Sequence, residues 1–128
     1  MNIEHLEPEG LHLNPAFTQV VAVQGPAKLL FVGGQNAVDA SGAIVGDNLG
    51  VQTEQALKNV LTALAAGGAT QGNVVKLNVH VVQGAPVSQA FAAAQAVWGR
   101  HPTAITVLVV AGLANPRFLV EVDAVAAV

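Results

Sequence analysis

The sequence predicts a two-layer α+β domain in which two helices cover one face of a mostly antiparallel sheet. Two segments, at about residues 51–66 and 87–98, carry the apolar spacing of amphipathic helices. Around them lie β-rich runs bounded by glycine, proline and asparagine. The resulting order is strand, strand, helix, strand, helix, strand, strand, and two helices can cover only one face of such a sheet.

Phe17 to Val23 reads as the first strand, turned at Gly25-Pro26. Leu29 to Val32 is its hairpin neighbour, ending at Gly33-Gly34. Residues 36–50 are rich in Asp, Asn, Ser and Gly and read as loop. In the first helix Leu57, Val60, Leu61 and Leu64 form one stripe, Glu54 and Lys58 pair on the polar side, and Gly67-Gly68 ends it. Val74 to Val82 is a strand with Leu77, Val79 and Val81 on one face and Lys76, Asn78 and His80 on the other. In the second helix Val87, Phe91, Ala94 and Trp98 share a face, with Phe91 and Trp98 expected in the core. Gly99 and Pro102 end it, and Arg100 is expected to meet its last carbonyls. Ile105 to Ala111 is a strand apolar on both sides. Gly112 to Pro116 turns the chain into the final strand, Phe118 to Val128.

The 128 residues form one domain, 1–128. They are 52% hydrophobic and only 10% charged, whereas about a quarter of an ordinary domain is charged. A lone subunit is therefore short of polar surface, and oligomerisation through apolar faces follows. The net charge is −3 and the five basic residues are scattered, which argues against nucleic-acid binding. No cysteine is present, which excludes disulfides and thiolate chemistry. His5 and His12 show no metal-ligand spacing, and neither a metal nor a cofactor is expected. The acidic N-terminus does not read as a secretory signal, and no apolar run approaches the ~18 residues of a membrane span. The expectation is a cytoplasmic protein.

The last strand places Glu121 and Asp123 on one face of an otherwise apolar segment. Buried carboxylates are costly without partners, so that face must meet water, a ligand or another subunit. Glu121 can act as a base or orient water, or it can be a structural carboxylate bonded to amides or to a neighbouring subunit. Asp123 reads as structural.

Five segments carry a family resemblance. They are Gly34-Gln35, the helix Gln55-Ala56-Leu57-Lys58-Asn59-Val60-Leu61, Gly72-Asn73-Val74-Val75-Lys76, His101-Pro102-Thr103-Ala104, and Leu119-Val120-Glu121-Val122-Asp123-Ala124-Val125-Ala126. In order and spacing they resemble the RidA/YjgF family, also labelled endoribonuclease L-PSP. The resemblance implies a chorismate-mutase-like α+β fold and a homotrimer with three clefts between subunits. It also implies hydrolysis of reactive enamines and imines, such as 2-aminoacrylate, to ketoacids and ammonia. In the family an arginine shortly after the proline clamps the substrate carboxylate, and a glutamate in the closing motif positions water. Glu121 matches that glutamate. The clamp position is Ala104, which offers neither charge nor donor. The family's frequent cysteine two residues on is Thr106, and its frequent tyrosine near the first strand is Phe17.

The candidate substrate-binding residues are accordingly Phe17, Gly34, Ala104, Ile105, Thr106 and Arg117. Gly34 can offer backbone groups to a ligand or serve a turn or bulge. Thr106 can donate in the cleft or simply favour a strand, and backbone groups at 105–107 can hold substrate. Phe17 can wall an apolar pocket. Arg117 shares the parity of Glu121, about 13 Å away along an ideal strand, and reads either as a replacement clamp or as a surface arginine after a turn. His101 can bind an anion or face solvent, and His80 reads as structural. Two functions fit: a trimer that binds a small metabolite and hydrolyses imines weakly, if at all, on 2-aminoacrylate-type acids, or a non-catalytic binding or regulatory protein on the same fold. A ribonuclease fits the charge poorly.

Overall fold

Six strands and two helices follow one another as β1 (Asn2–Leu6), β2 (Val20–Gln24), β3 (Leu29–Gln35), α1 (Leu49–Ala66), β4 (Val74–Val82), α2 (Val87–Trp98), β5 (Ala104–Val110) and β6 (Val120–Ala127). The computed structural model describes residues 1–128. β1 and β2 form an antiparallel hairpin of their own. The other strands form one sheet in the order β3-β6-β4-β5. β6 runs antiparallel to β3 and to β4, while β4 and β5 are parallel and joined through α2. The expected two-layer α+β architecture is present, with β4–β5 its one parallel pair.

α1 starts where the Asn48 side chain accepts the Val51 N–H at 2.9 Å. Its stripe of Ala56, Leu57, Val60 and Leu64 is buried in one apolar cluster with Val120, Val122, Ala124 and Ala126 of β6, Val32 of β3, and Leu77 and Val81 of β4. β6 is thus the centre of the core, and alternate residues of β6 and β4 point away from the helices. No helix is long and apolar enough to cross a membrane.

Several boundaries differ from the sequence reading. β1 was not expected: nearly every residue in it is exposed, so it carries no burial pattern. The first expected strand starts at Val20, and Phe17 lies before it. There Thr18 N–H donates to Thr103 C=O at 2.9 Å and its hydroxyl bonds His5 Nδ1 at 3.0 Å, so this backbone ties to the start of β5 and not to a ladder. β3 does not stop at Gly33-Gly34 but runs to Gln35 through a bulge between Val32 and Gln35. The last strand begins at Val120 because Gln52 occupies the Arg117 carbonyl and the Leu119 N–H. Trp98 is buried as expected, but Phe91 is 55% exposed, because α2 packs on α1 and leaves space over β4 and β5. Arg100 lies beyond the last turn of α2, which Gly99 closes through its N–H to Gln95 C=O.

Only 22 of 128 residues are buried, few for a chain so apolar, so much apolar surface faces outward. On the sheet face away from the helices Leu29, Phe31 and Leu108 are exposed, Phe31 at 76%.

Candidate functional site

The open sheet face holds the polar residues that the core face lacks. The strand register sets Asn78 opposite Asp123 and His80 opposite Glu121, with Lys76 opposite Ala104 and Asn78 opposite Thr106 on the other side of β4. Asn78 Nδ2 donates to Asp123 Oδ1 at 2.8 Å, so Asp123 has a partner within the protomer. His80 Nδ1 is 3.4 Å from the Glu121 carbonyl, a long contact. Glu121 makes no ion pair, since Lys58–Glu54 is the only one in the chain.

Glu121 packs against the bulge of β3. A Cβ at Gly34 would lie 2.6 Å from Glu121 Cδ and 2.8 Å from its Oε2. The absent side chain at Gly34 leaves the space that the Glu121 carboxylate fills. The carboxylate therefore lies over the Gly34 backbone, half-buried on an otherwise open face.

The segments around this carboxylate are held by side-chain amides, of which Gln52 is buried and Asn36 and Asn59 are half-buried. Gln52 donates to the carbonyls of Gly46 (3.1 Å) and Arg117 (2.9 Å) and accepts the Leu119 N–H (2.8 Å), fixing the entry to β6. Asn36 Nδ2 donates to Val120 C=O at 3.0 Å, and Asn59 Nδ2 donates to the carbonyls of Asn36 and Val38. β3 and β6 are thus pinned on both sides of the Gly34–Glu121 contact. Thr103 Oγ1 donates to Val74 C=O at 2.8 Å and fixes the start of β5.

The residues selected from the sequence fall in four places. Gly34 and Glu121 are in contact. Ala104 and Thr106 lie on the same open face, but on β5, two strands from β6. Phe17 and Ile105 are not with them: both line a cavity on the helix side of the sheet, and His101 is at its edge. Arg117 sits in the turn before β6, exposed, so strand parity does not relate it to Glu121.

The sequence reading missed Lys76. It points to the open face beside Ala104, and its Nζ bonds Thr106 Oγ1 at 2.6 Å. A cation therefore lies one strand away from the position where the resemblance calls for arginine. The available signal was the alternation of β4, which puts Lys76 on the face of Asn78 and His80, but the pairing of β4 with β5 is not written in either strand alone. Within one protomer Lys76 and Glu121 are far apart. Glu121 pairs with His80, four residues or about 13 Å along β4 from Lys76, and their side chains lean to opposite sides, toward β5 and β3. No group of three or more His, Asp or Glu side chains is placed to hold a metal ion.

Comparison with known proteins agrees with this architecture. Residues 12–128 match the family model described as Endoribonuclease L-PSP. A solved structure from Yersinia pestis, described as a protein of unknown function of the conserved Rid family, YyfB, is similar over 100% of both chains, with 34% identity and a TM-score of 0.88. A member of the YjgF/YER057c/UK114 family from Mycobacterium tuberculosis is 25% identical, covering 99% of this chain and 100% of its own, with a TM-score of 0.68. RidA from an Antarctic Psychrobacter shares the fold, at 19% identity and a TM-score of 0.72 over 97% and 98% of the two chains. No curated protein matches the chain.

Proposed function

Because the chain belongs to the endoribonuclease L-PSP family, the RidA/YjgF group, we propose that it binds a small metabolite in clefts between the subunits of a homotrimer and hydrolyses reactive imines there. The observation that carries this reading is the half-buried Glu121 carboxylate, without an ionic partner, laid over Gly34 on the open sheet face. It can take a proton from water at the moment of attack. Water oxygen bonds to the imine carbon while Glu121 passes the proton to nitrogen, giving a carbinolamine. The C–N bond then breaks as C=O forms, Glu121 moves the hydroxyl proton to nitrogen, and ammonia leaves. An enamine enters the same sequence after tautomerising to its imine.

The cation for an acidic substrate is Lys76, with Thr106 beside it as a hydroxyl donor. A three-carbon acid cannot span the distance from Lys76 to Glu121 on one protomer. The separation supports a pocket that takes its acid from one subunit and its cation from the next. A lysine is a single-point contact where arginine is two-pronged, so turnover of 2-aminoacrylate-type acids is expected to be weak.

The loss of the guanidinium at Ala104 and of a hydroxyl at Phe17 favours a second reading, a non-catalytic binding or regulatory trimer. Ribonuclease activity fits poorly, because Lys76 is the one lysine or arginine on an open face that also carries two carboxylates. Ammonia release from freshly generated imines separates the two main readings. The enzyme reading expects turnover that falls to background in Glu121→Ala, a higher KM for acidic than for neutral imines in Lys76→Met, and a gain on acidic imines in Ala104→Arg. Equal rates with and without the wild-type protein would leave the binding reading.

A further inference from the structure

α2 presents alanines to the sheet where α1 presents leucines. Ala90 and Ala94 lie over the β4–β5 half, and the space they leave is a cavity of about 960 Å³ on the helix side, on the opposite face of the sheet from Glu121 and Lys76. Its walls are mainly apolar and include Phe17, Phe91, Trp98 and Ile105. Protein interiors are close-packed, whereas small-molecule pockets run to roughly 300–1,000 Å³ with apolar walls and a few polar groups. Two of its polar groups are buried. Thr53 Oγ1 and Trp98 Nε1 are the only buried side-chain polar atoms in the molecule without a hydrogen-bond partner, and both residues line this cavity. Thr53 is 3% and Trp98 6% exposed. An indole N–H can only donate, and a hydroxyl can donate or accept. Leaving either buried and unsatisfied is unfavourable. The other polar wall residues, Asn14, Gln95, Arg100 and His101, are exposed, so the enclosed part is neutral.

We propose that this intrasubunit cavity is a second ligand site, for a neutral branched or cyclic hydrocarbon molecule carrying a carbonyl oxygen that accepts from Trp98 and Thr53. The site does not depend on the imine reading or on trimer formation.

Trp98 is the only tryptophan, so the ¹⁵N-labelled protein gives one indole N–H resonance. The test titrates cyclohexyl methyl ketone and its hydrocarbon counterpart ethylcyclohexane into the wild-type protein. The ketone is expected to move that resonance downfield and saturate at one molecule per protomer. The hydrocarbon is expected to bind roughly two- to tenfold more weakly, the worth of the hydrogen bond, without the downfield shift. Thr53→Val should weaken the ketone alone, Ala94→Phe should abolish binding of both, and Glu121→Ala should change neither. Overturning results are no saturable shift, equal binding of ketone and hydrocarbon, or undiminished binding in an Ala94→Phe protein that keeps its folded spectrum. An indole resonance that moves with protein concentration alone and blocks the ketone would put a second copy of the chain in the cavity, and would overturn the proposal too.

Discussion

At Gly34 a missing side chain sets the position of another residue's charge. A methyl group there would meet Glu121 Cδ at 2.6 Å, but the end of a glutamate side chain can swing. Gly34→Ala should therefore displace the Glu121 carboxylate at little cost in stability. The expected outcome is a Tm close to wild type, with ammonia release, or ligand affinity at the sheet face, reduced about as far as in Glu121→Ala. A large drop in Tm would mean that the bulge and not the carboxylate needs the glycine. That the Glu121 carboxylate needs a partner or an opening was legible from its place in an apolar strand, and Gly33-Gly34 was legible as a turn or bulge. That the two touch was not, because it depends on one extra residue in β3. Lys76 was hidden for the same kind of reason: its relation to Ala104 exists only through the β4–β5 register.

Among the elements, those with strong periodicity were readable. β4 and α2 run between the residues expected, and α1 differs only in beginning two residues earlier, at Leu49. Strand ends were set by side-chain amides that leave no periodic trace. Gln52, 1% exposed, holds α1 to the entry of β6 with three hydrogen bonds. Gln52→Leu should cost about 2–4 kcal/mol, because it strands a buried N–H and carbonyls, and denaturant unfolding reads this directly. The loop between β3 and α1 has a weaker hold. The exposed Asp39 carboxylate accepts from Ser41 Oγ at 2.7 Å, Ser41 N–H at 2.9 Å and Ala43 N–H at 3.0 Å. These bonds, the Ser41 hydroxyl first, hold its pKa below the ordinary 3.8. A carboxylate lowered on folding stabilises the folded state above its unfolded pKa, and that contribution is lost as pH falls through the folded value. The stability gap between wild type and Asp39→Ala should be present at neutral pH and close below pH 3.8. A gap that widens on acidification would contradict the assignment.

On the scale of the whole molecule, composition and exposure agree. A chain with so few charges leaves Leu29, Phe31 and Leu108 exposed on one sheet face, a patch of the kind that marks an interface. Light scattering should give a particle three times the 13.0 kDa protomer, and Phe31→Asp should shift it toward the monomer. A wild-type monomer would remove the shared cleft. The most direct test of that cleft follows ammonia release from an acidic imine and mixes two variants, each impaired on it. Glu121→Ala and Lys76→Ala proteins, unfolded together at equal amounts and refolded, form rings at random; one boundary in each mixed ring, and so about a quarter of all boundaries, joins an intact acid to an intact cation. Recovery of about that share of wild-type ammonia release is the predicted result. Mixed trimers as inactive as either parent would contradict a pocket built from two chains.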